Sequence, residues 1–183
     1  MGASVMWGYW DLHGRDRSAR MVIEHEPSVP TLRDTASAAS AADAGEIFPW
    51  STLIETCDPL VAPDPVGFTG TTSGHMLSKQ FKPKVHEWIL AENLKFPSAH
   101  AATLLSNHSL QDWRDLIPRI DLLTLVITSR KSMVPWRSQA WIHSVIPGSR
   151  LEIFEAKPGG HLFFFLENQA GFNELIAGFM LER

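Results

Sequence analysis

Residues 122–128, Leu-Leu-Thr-Leu-Val-Ile-Thr, form the stretch that decides the fold. None of them carries a charge, which predicts a strand buried on both faces, as in a parallel sheet covered by helices. A helical pattern follows over 135–146, a further strand over 151–154 and an amphipathic helix over 172–181. The predicted apolar face of that last helix comprises Phe172, Leu175, Ile176, Phe179 and Met180. The alternation predicts an α/β fold with parallel strands joined by right-handed crossovers.

The first part of the chain has a weaker pattern of the same kind. Apolar residues predict a helix over 3–12 and a short strand over 21–23. Residues 28–45 are rich in Ala, Ser, Thr and Asp, which predicts a loop or a weak helix. The stretch 59–74 contains three prolines and three glycines, which predicts a loop. Two further helices are predicted over 84–93 and 98–106.

The composition is that of a globular protein. The 183 residues are 44% apolar and 20% charged, enough to bury a core as one domain or as part of a larger one. The formal net charge of −4 and the absence of a basic run argue against a nucleic-acid partner. No run of eighteen apolar residues exists, which argues against a transmembrane helix and a membrane partner. Cys57 is the only cysteine and the first residues lack a secretory pattern, so we expect a cytoplasmic location.

Polar residues follow each predicted strand, at the edge where ligands bind in open parallel sheets. Glu24-His25-Glu26 follows the first strand, residues 129–136 follow the second, and Gly159-Gly160-His161 follows the third. An imidazole titrates near neutral pH, so His161 on a strand-end turn can act as a general base and a general acid. The alternative is that His161 only caps a turn.

An ordered set of short segments marks the last third of the chain. The set consists of Leu125-Val126-Ile127, Val134-Pro135-Trp136, Ile146-Pro147-Gly148, Leu151-Glu152-Ile153, Gly160-His161 and Phe165-Leu166-Glu167-Asn168. In this order, residues 118–183 resemble the C-terminal portion of the α/β-hydrolase fold family, in particular its branch of cofactor-free haloperoxidases and esterases. The resemblance implies that His161 is the catalytic histidine, which activates a serine and then protonates the leaving group.

The start of the chain also resembles this family. Its nucleophile elbow has the pattern Gly-x-Ser-x-Gly between a strand and a helix, and Met1-Gly2 resembles the last two positions. The resemblance then implies that the nucleophile serine and the oxyanion-hole half precede Met1. It further implies a partial α/β-hydrolase fold with about three parallel strands and flanking helices. Its segments would be the start of the core over 1–44, a helical cap over 45–116 and the C-terminal core with the histidine loop over 117–183.

The acid of the catalytic triad has two candidates. Many members of the family place an aspartate after the strand that matches 125–127, but residues 129–134 contain no carboxyl group. Others place the acid after the preceding strand, which makes Glu24 or Glu26 the catalytic residue that orients the imidazole. The alternative for both glutamates is a solvated charge at a strand end.

Other polar and aromatic residues have simpler explanations. Ser4, the hydroxyl nearest the implied nucleophile, would lie one turn into a helix, where packing on the helix surface is expected in place of catalysis. Asp112 and Asp115 are expected to be surface charges. Four histidines lack the spacing of a metal site and are expected at the surface or in a pocket: His75, His86, His100 and His108. The aromatic set expected in the core and cap, where it could shape an apolar pocket, comprises Trp88, Trp113, Trp136, Trp141 and residues 163–165.

The function implied by the resemblance is hydrolysis of small ester- or lactone-type substrates by a serine hydrolase without cofactor or metal. The partner would then be a small apolar ester-like substrate. The alternative is a truncated, inactive relative that acts as a binding or assembly module. Without the strand that bears the nucleophile, the strand over 21–23 would lie at an open sheet edge, so self-association through that edge is also expected.

Overall fold

The computed structural model describes residues 1–32, 37–50, 53–62, 65–78, 83–155 and 164–182. Its helices and strands, in chain order, are α1 (Gly2–His13), β1 (Arg20–Glu24), α2 (Ala38–Ala44), α3 (Leu53–Val61), α4 (Pro65–His75), α5 (Pro83–Asn93), α6 (Ser98–Ser109), β2 (Leu123–Ser129), α7 (Trp136–Val145), β3 (Arg150–Phe154), α8 (Phe164–Glu167) and α9 (Gln169–Leu181). A 3-10 turn, Ile117–Arg119, precedes β2. Every strand and helix predicted from the sequence is present, with bounds that differ by up to three residues.

The strands of the described chain form one parallel sheet in the order β1–β2–β3. Glu24 is opposite Ile127, and Ile127 is opposite Glu152, so the carboxyl ends of the strands meet at one edge. Residues Thr124 to Ser129 of β2 are all buried. The expected parallel α/β fold with about three strands is confirmed, and β1 has a strand neighbour on one side only within the described chain.

Helices cover both faces of the sheet. One face carries Ile23, which packs in a core with Trp7 of α1 and Ile142 of α7. The other face carries Ile127, which packs with Phe179 of α9. Side chains alternate between these two faces along each strand, so each face receives every second residue of β1 and β2.

The buried face of α9 differs from the prediction at one residue. Phe179 is buried, and Phe172, Leu175 and Ile176 pack against the same core. Met180, however, is 52% exposed. Each residue of a helix is rotated by about 100° from the one before it, so Met180 in the last turn points away from the sheet that Phe179 contacts.

The predicted loop over 59–74 is wrong, because α3 and α4 occupy most of this stretch. Two glycines of α4 face α5: a Cβ at Gly70 would be 3.7 Å from Leu90, and a Cβ at Gly74 would be 3.7 Å from His86, which are ordinary contact distances. Packing of α4 against α3 and α5 therefore outweighs the low helix propensity of glycine. Within 28–45, the weak-helix alternative is confirmed by α2.

The helices α3 to α6 form the segment that was expected to be a cap. The division into three segments over 1–44, 45–116 and 117–183 stays a prediction. No helix within the described ranges is long and apolar enough to cross a membrane.

Candidate functional site

The candidate site lies at the carboxyl ends of β1 and β2, where Glu24, His25 and Glu26 follow one another. The backbone N–H of His25 donates to the carbonyl oxygen of Ile127 at 3.2 Å, which extends the pairing of the two strands by one residue. The side chain of Gln139 on α7 donates to the backbone carbonyl of Glu26 at 2.8 Å. The backbone of the site is thus held on both sides of His25.

Glu24 is the last residue of β1 and is partly buried. It shares a sheet face with Val22, which packs against the core around Phe179. Burial raises the pKa of the Glu24 carboxyl from 4.5 to about 7, because removal from water disfavours the charged form. An acid with this pKa changes its protonation near neutral pH, which suits proton transfer.

Glu26 is 3% exposed, so the alternative of a solvated charge at a strand end is wrong for this residue. Its Oε1 accepts a hydrogen bond from Ser4 Oγ at 2.7 Å and lies 3.2 Å from His108 Nε2. Its Oε2 pairs with the N-terminal ammonium group of Met1. These contacts join α1, β1 and α6, and they use both oxygens of the Glu26 carboxyl.

The protons around Glu26 can be assigned from these contacts. Burial lowers the pKa of His108 by more than nearby Glu26 raises it, so the imidazole is neutral at neutral pH. A neutral imidazole can donate from Nε2 to Glu26, and the hydroxyl of Ser4 donates to the same carboxyl. The 3.5 Å contact between Ser4 Oγ and His108 Nδ1 then contains no proton.

Ser4 therefore does not have the environment of a nucleophile. It is 6% exposed, and its proton is directed to Glu26 instead of to a base. The expected packing of Ser4 on the helix surface is also wrong, because the residue belongs to the buried contact between α1 and the end of β1.

His25 has an unusual backbone conformation, with φ at 46°. Among the described residues, it is the only one other than glycine with a positive φ. Its side chain is 5% exposed, and its Nε2 lies 3.1 Å from Ser129 Oγ at the end of β2. A left-handed backbone costs a residue with a Cβ on the order of 1 kcal/mol, so it persists only where neighbouring contacts stabilise it.

The structure describes some of the site residues that were predicted from the sequence, but not all of them. Glu24 and Glu26 lie at the expected sheet edge, and their catalytic roles stay predictions. His161 and its two preceding glycines lie outside the described residues, so their placement stays a prediction as well. His108 was expected at the surface or in a pocket, and its contact with Glu26 was missed because no local pattern indicates which distant helix reaches a strand end.

The other histidines and the two aspartates considered in the sequence analysis lie away from the end of β1. His86 Nε2 of α5 lies 3.1 Å from Ser73 Oγ of α4, and His75 and His100 are exposed. Asp112 and Asp115 are exposed, as expected. Within the described part of the chain, no group of three or more His, Cys, Asp or Glu side chains could hold a metal ion.

The predicted aromatic pocket is only partly supported. Trp113 and Trp141 pack against the core, but Trp88 is 55% exposed and Trp136 is 37% exposed, with its ring 4.2 Å from the guanidinium of Arg130. Residue 163 lies outside the described ranges, and so does the side chain of residue 164.

A cavity of about 360 Å³ lies among helices α3 to α6 instead. Its lining is Leu60, Thr69, Glu92, Asn93, Leu94, Phe96, Ser98 and Ala101. Helix α6 extends from Ser98, at this cavity, to the turn that contains His108. Ten residues of helix span about 15 Å, so the cavity is separate from the contact between His108 and Glu26.

Solved structures with the same fold were found over the full length of the chain. A bromoperoxidase from Bacillus anthracis matches with a TM-score of 0.85 and 17% identity, over 100% of this chain and 65% of that protein. An esterase from Exiguobacterium antarcticum matches with a TM-score of 0.78 and 18% identity, over 98% and 63%. An enol-lactonase from Burkholderia xenovorans matches with a TM-score of 0.77 and 12% identity, over 99% and 63%.

These matches show that the chain adopts part of the α/β-hydrolase fold, as expected from its C-terminal segments. The chain spans less than two thirds of the length of the solved structures that it matches. No family model matches the sequence, and no curated protein is significantly similar to it.

Proposed function

We propose that this chain supplies the acid and the imidazole of a serine hydrolase that acts on small ester- or lactone-type substrates. Glu24 is the acid and His161 is the histidine of the proposed triad. In the alignment with the α/β-hydrolase pattern described above, the nucleophile serine and the oxyanion hole precede Met1. The histidine takes the proton of the serine hydroxyl as the serine attacks the carbonyl carbon, and it returns that proton to the leaving group.

The observation that carries the proposal is the position of Glu24. Its carboxyl lies at the sheet edge where ligands bind in parallel α/β folds. Glu26 is the weaker candidate, because Ser4 and His108 already contact its carboxyl. The proposed triad therefore uses Glu24 and leaves Glu26 a structural role.

The length of the chain allows His161 to reach Glu24. Strand β3 ends at Phe154, and seven residues can span up to about 25 Å. Strands β1 and β3 are two strand spacings apart, or about 10 Å. The chain between β3 and residue 161 is therefore long enough to bring an imidazole over the end of β1.

The substrate class rests on the solved structures with this fold, which include an esterase and an enol-lactonase. Both names describe the opening of an ester bond. A small apolar ester or lactone is therefore the proposed substrate, with no cofactor required. A cytoplasmic location, expected from the sequence, belongs to the same proposal.

The proposed acid–imidazole pair can be tested by NMR. The ring proton signal of His161, assigned by its loss in His161→Gln, is followed during a pH titration. A nearby carboxylate raises the pKa of a histidine, so we expect Glu24→Gln to lower the His161 midpoint by about one pH unit. Glu155→Gln removes an exposed carboxyl as a control. An unchanged midpoint in Glu24→Gln would overturn the assignment of Glu24.

The position of the nucleophile is tested with a fluorophosphonate probe, which labels activated serines. We expect no labelling of the 183-residue chain, because Ser4 donates its proton to Glu26. Labelling of Ser4 would contradict the proposal that the nucleophile serine precedes Met1. For the same reason we expect no turnover of p-nitrophenyl acetate by the purified chain above that of His161→Ala. Turnover that is lost in His161→Ala and kept in His100→Ala would mean that the chain contains its own nucleophile, which would contradict the proposed position of the serine.

A second candidate function, as an assembly module, is favoured by one surface. Strand β1 lies at the edge of the described sheet, and α1 exposes Val5, Tyr9 and Leu12 on one side. An edge strand can pair with another chain, and exposed apolar side chains favour association. Light scattering at increasing concentration should then detect dimers or larger species. A protein that is monomeric throughout and unfolds cooperatively would contradict this alternative.

A further inference from the structure

The two glutamates at the end of β1 face opposite sides of the sheet, although a regular strand would place them on the same side. Residues i and i+2 of a strand share a face. Glu24 follows Val22 on the face covered by α9. Glu26 instead contacts Ser4 of α1, which covers the other face. The backbone between Glu24 and Glu26 must therefore depart from the strand conformation.

His25 is the residue at which this departure occurs. Its φ of 46° is outside the range of any strand. Its backbone N–H remains paired with Ile127, and its imidazole contacts Ser129 at 3.1 Å. Both contacts lead to β2, so the turn is held against a strand buried within the sheet. A histidine is tolerated in the left-handed region better than a β-branched residue is.

We propose that His25 is a positioning residue that gives the two glutamates different tasks. Its left-handed backbone and its contact with Ser129 direct Glu24 to the face beside α9 and Glu26 into the buried contact with Ser4 and His108. The reaction role of Glu24 rests on the proposed function, whereas the separation of the two carboxyls does not.

The separation has two consequences for the site. If His25 had a strand conformation, both carboxyls would project to the same face and disfavour each other's ionisation. His108 would also lose the carboxyl that its Nε2 contacts. The left-handed turn thus isolates one carboxyl for the site and uses the other to join α6 to β1.

The proposal is tested on the full chain with two histidine signals as reporters. His108 reports Glu26, and His161 reports Glu24. In the native background we expect Glu26→Gln to lower the His108 midpoint and leave His161 unchanged. Glu24→Gln should lower the His161 midpoint by about one pH unit and leave His108 unchanged.

Variants of His25 distinguish the contribution of its backbone conformation from the contribution of its side chain. Glycine accepts the left-handed backbone. In the His25→Gly background, the shift of the His108 midpoint by Glu26→Gln and the shift of the His161 midpoint by Glu24→Gln should therefore remain at half or more of their native size. His25→Val disfavours that backbone, so both effects should fall below half. If His25→Val does not fold, His25→Ala takes its place under the same criterion. Ser129→Ala should weaken both effects through loss of the contact with the imidazole.

Each possible outcome supports or overturns the positioning role of His25. A folded His25→Val or His25→Ala variant in which Glu26→Gln still shifts His108 by the native amount would overturn the proposal. If Glu24→Gln leaves His161 unchanged in the native background, the proposed function loses its acid. In that case the His108 reporter alone still decides the role of His25, so the two failures are distinguishable.

Discussion

His108 Nε2 lies 3.2 Å from Glu26 Oε1, and this contact joins the last turn of helix α6 to the end of strand β1. Both side chains are buried, at 8% and 3% exposure. A buried carboxyl depends on its hydrogen-bond donors, because no water replaces a donor that is lost. The contact is therefore a point at which α6 and the sheet stabilise each other.

Loss of the His108 side chain should destabilise the protein. We expect His108→Ala to lower the free energy of unfolding by about 1–3 kcal/mol, because Glu26 would lose a donor. Urea denaturation followed by circular dichroism measures this. His100→Ala, at an exposed position of the same helix, should change stability by less than about 0.5 kcal/mol. Equal effects of the two substitutions would contradict the buried contact.

Protonation of His108 should make the protein less stable in mild acid. Burial lowers the pKa of His108 in the folded chain below its ordinary value of 6.5, so the unfolded chain binds the proton first as the pH falls. Stability from this group is thus present above about pH 6.5 and is lost as the pH falls through the folded pKa. We expect His108→Gln to have a flatter dependence of unfolding free energy on pH between 7 and 5. A slope as steep as that of the native chain would speak against this assignment.

Glu24 should have the opposite pH dependence. Its folded pKa of about 7 is above the ordinary 4.5, so the folded chain binds the proton more tightly between these values. The stability that protonated Glu24 contributes is complete below about pH 4.5 and is lost as the pH rises through 7. Glu24→Gln keeps a neutral side chain. We expect it to exceed the native chain in stability by on the order of 1–3 kcal/mol at pH 8 and to match it at pH 4. Reduced stability at pH 8 would rule this out.

Gly45 should not tolerate a side chain. Its φ is 91°, and a Cβ there would lie 2.7 Å from Ser138 Oγ and 2.8 Å from Pro27 Cβ. We expect Gly45→Ala to cost about 2–4 kcal/mol through backbone strain and overpacking. Gly178→Ala, in α9 with open space around the position, should be neutral or stabilising by up to about 1 kcal/mol. Thermal denaturation of the two variants compares them directly, and similar melting temperatures would be inconsistent with the close contact.

Phe179 should contribute much more to stability than its neighbour Met180. Phe179 is 1% exposed between α9 and the sheet, and Met180 is 52% exposed. We expect Phe179→Ala to cost about 3–5 kcal/mol and Met180→Ala less than about 1 kcal/mol. Chemical denaturation measures both. A larger effect at Met180 would mean that the helix presents a different face to the sheet.

The order of helices and strands could be predicted from the sequence because it depends on local patterns. The uncharged run of 122–128 became the buried central strand of the described sheet, and the segments around it became the flanking helices. The helices within 59–74 could not be predicted, because proline and glycine oppose helix formation locally. Helix α4 packs against α3 and α5, and those neighbours are not visible in a local window.

The candidate site, like the fold, could be predicted from the sequence only in part. By itself, the sequence determined that two glutamates follow β1 at the edge where parallel α/β folds bind ligands. Only the tertiary structure decided that Glu26 is enclosed by Ser4 and His108 while Glu24 lies on the opposite face. Side-chain periodicity predicts that both glutamates share a face, and the left-handed backbone of His25 breaks that periodicity. That conformation is stabilised by contacts with β2, which lies far along the chain, so no local pattern could have predicted it.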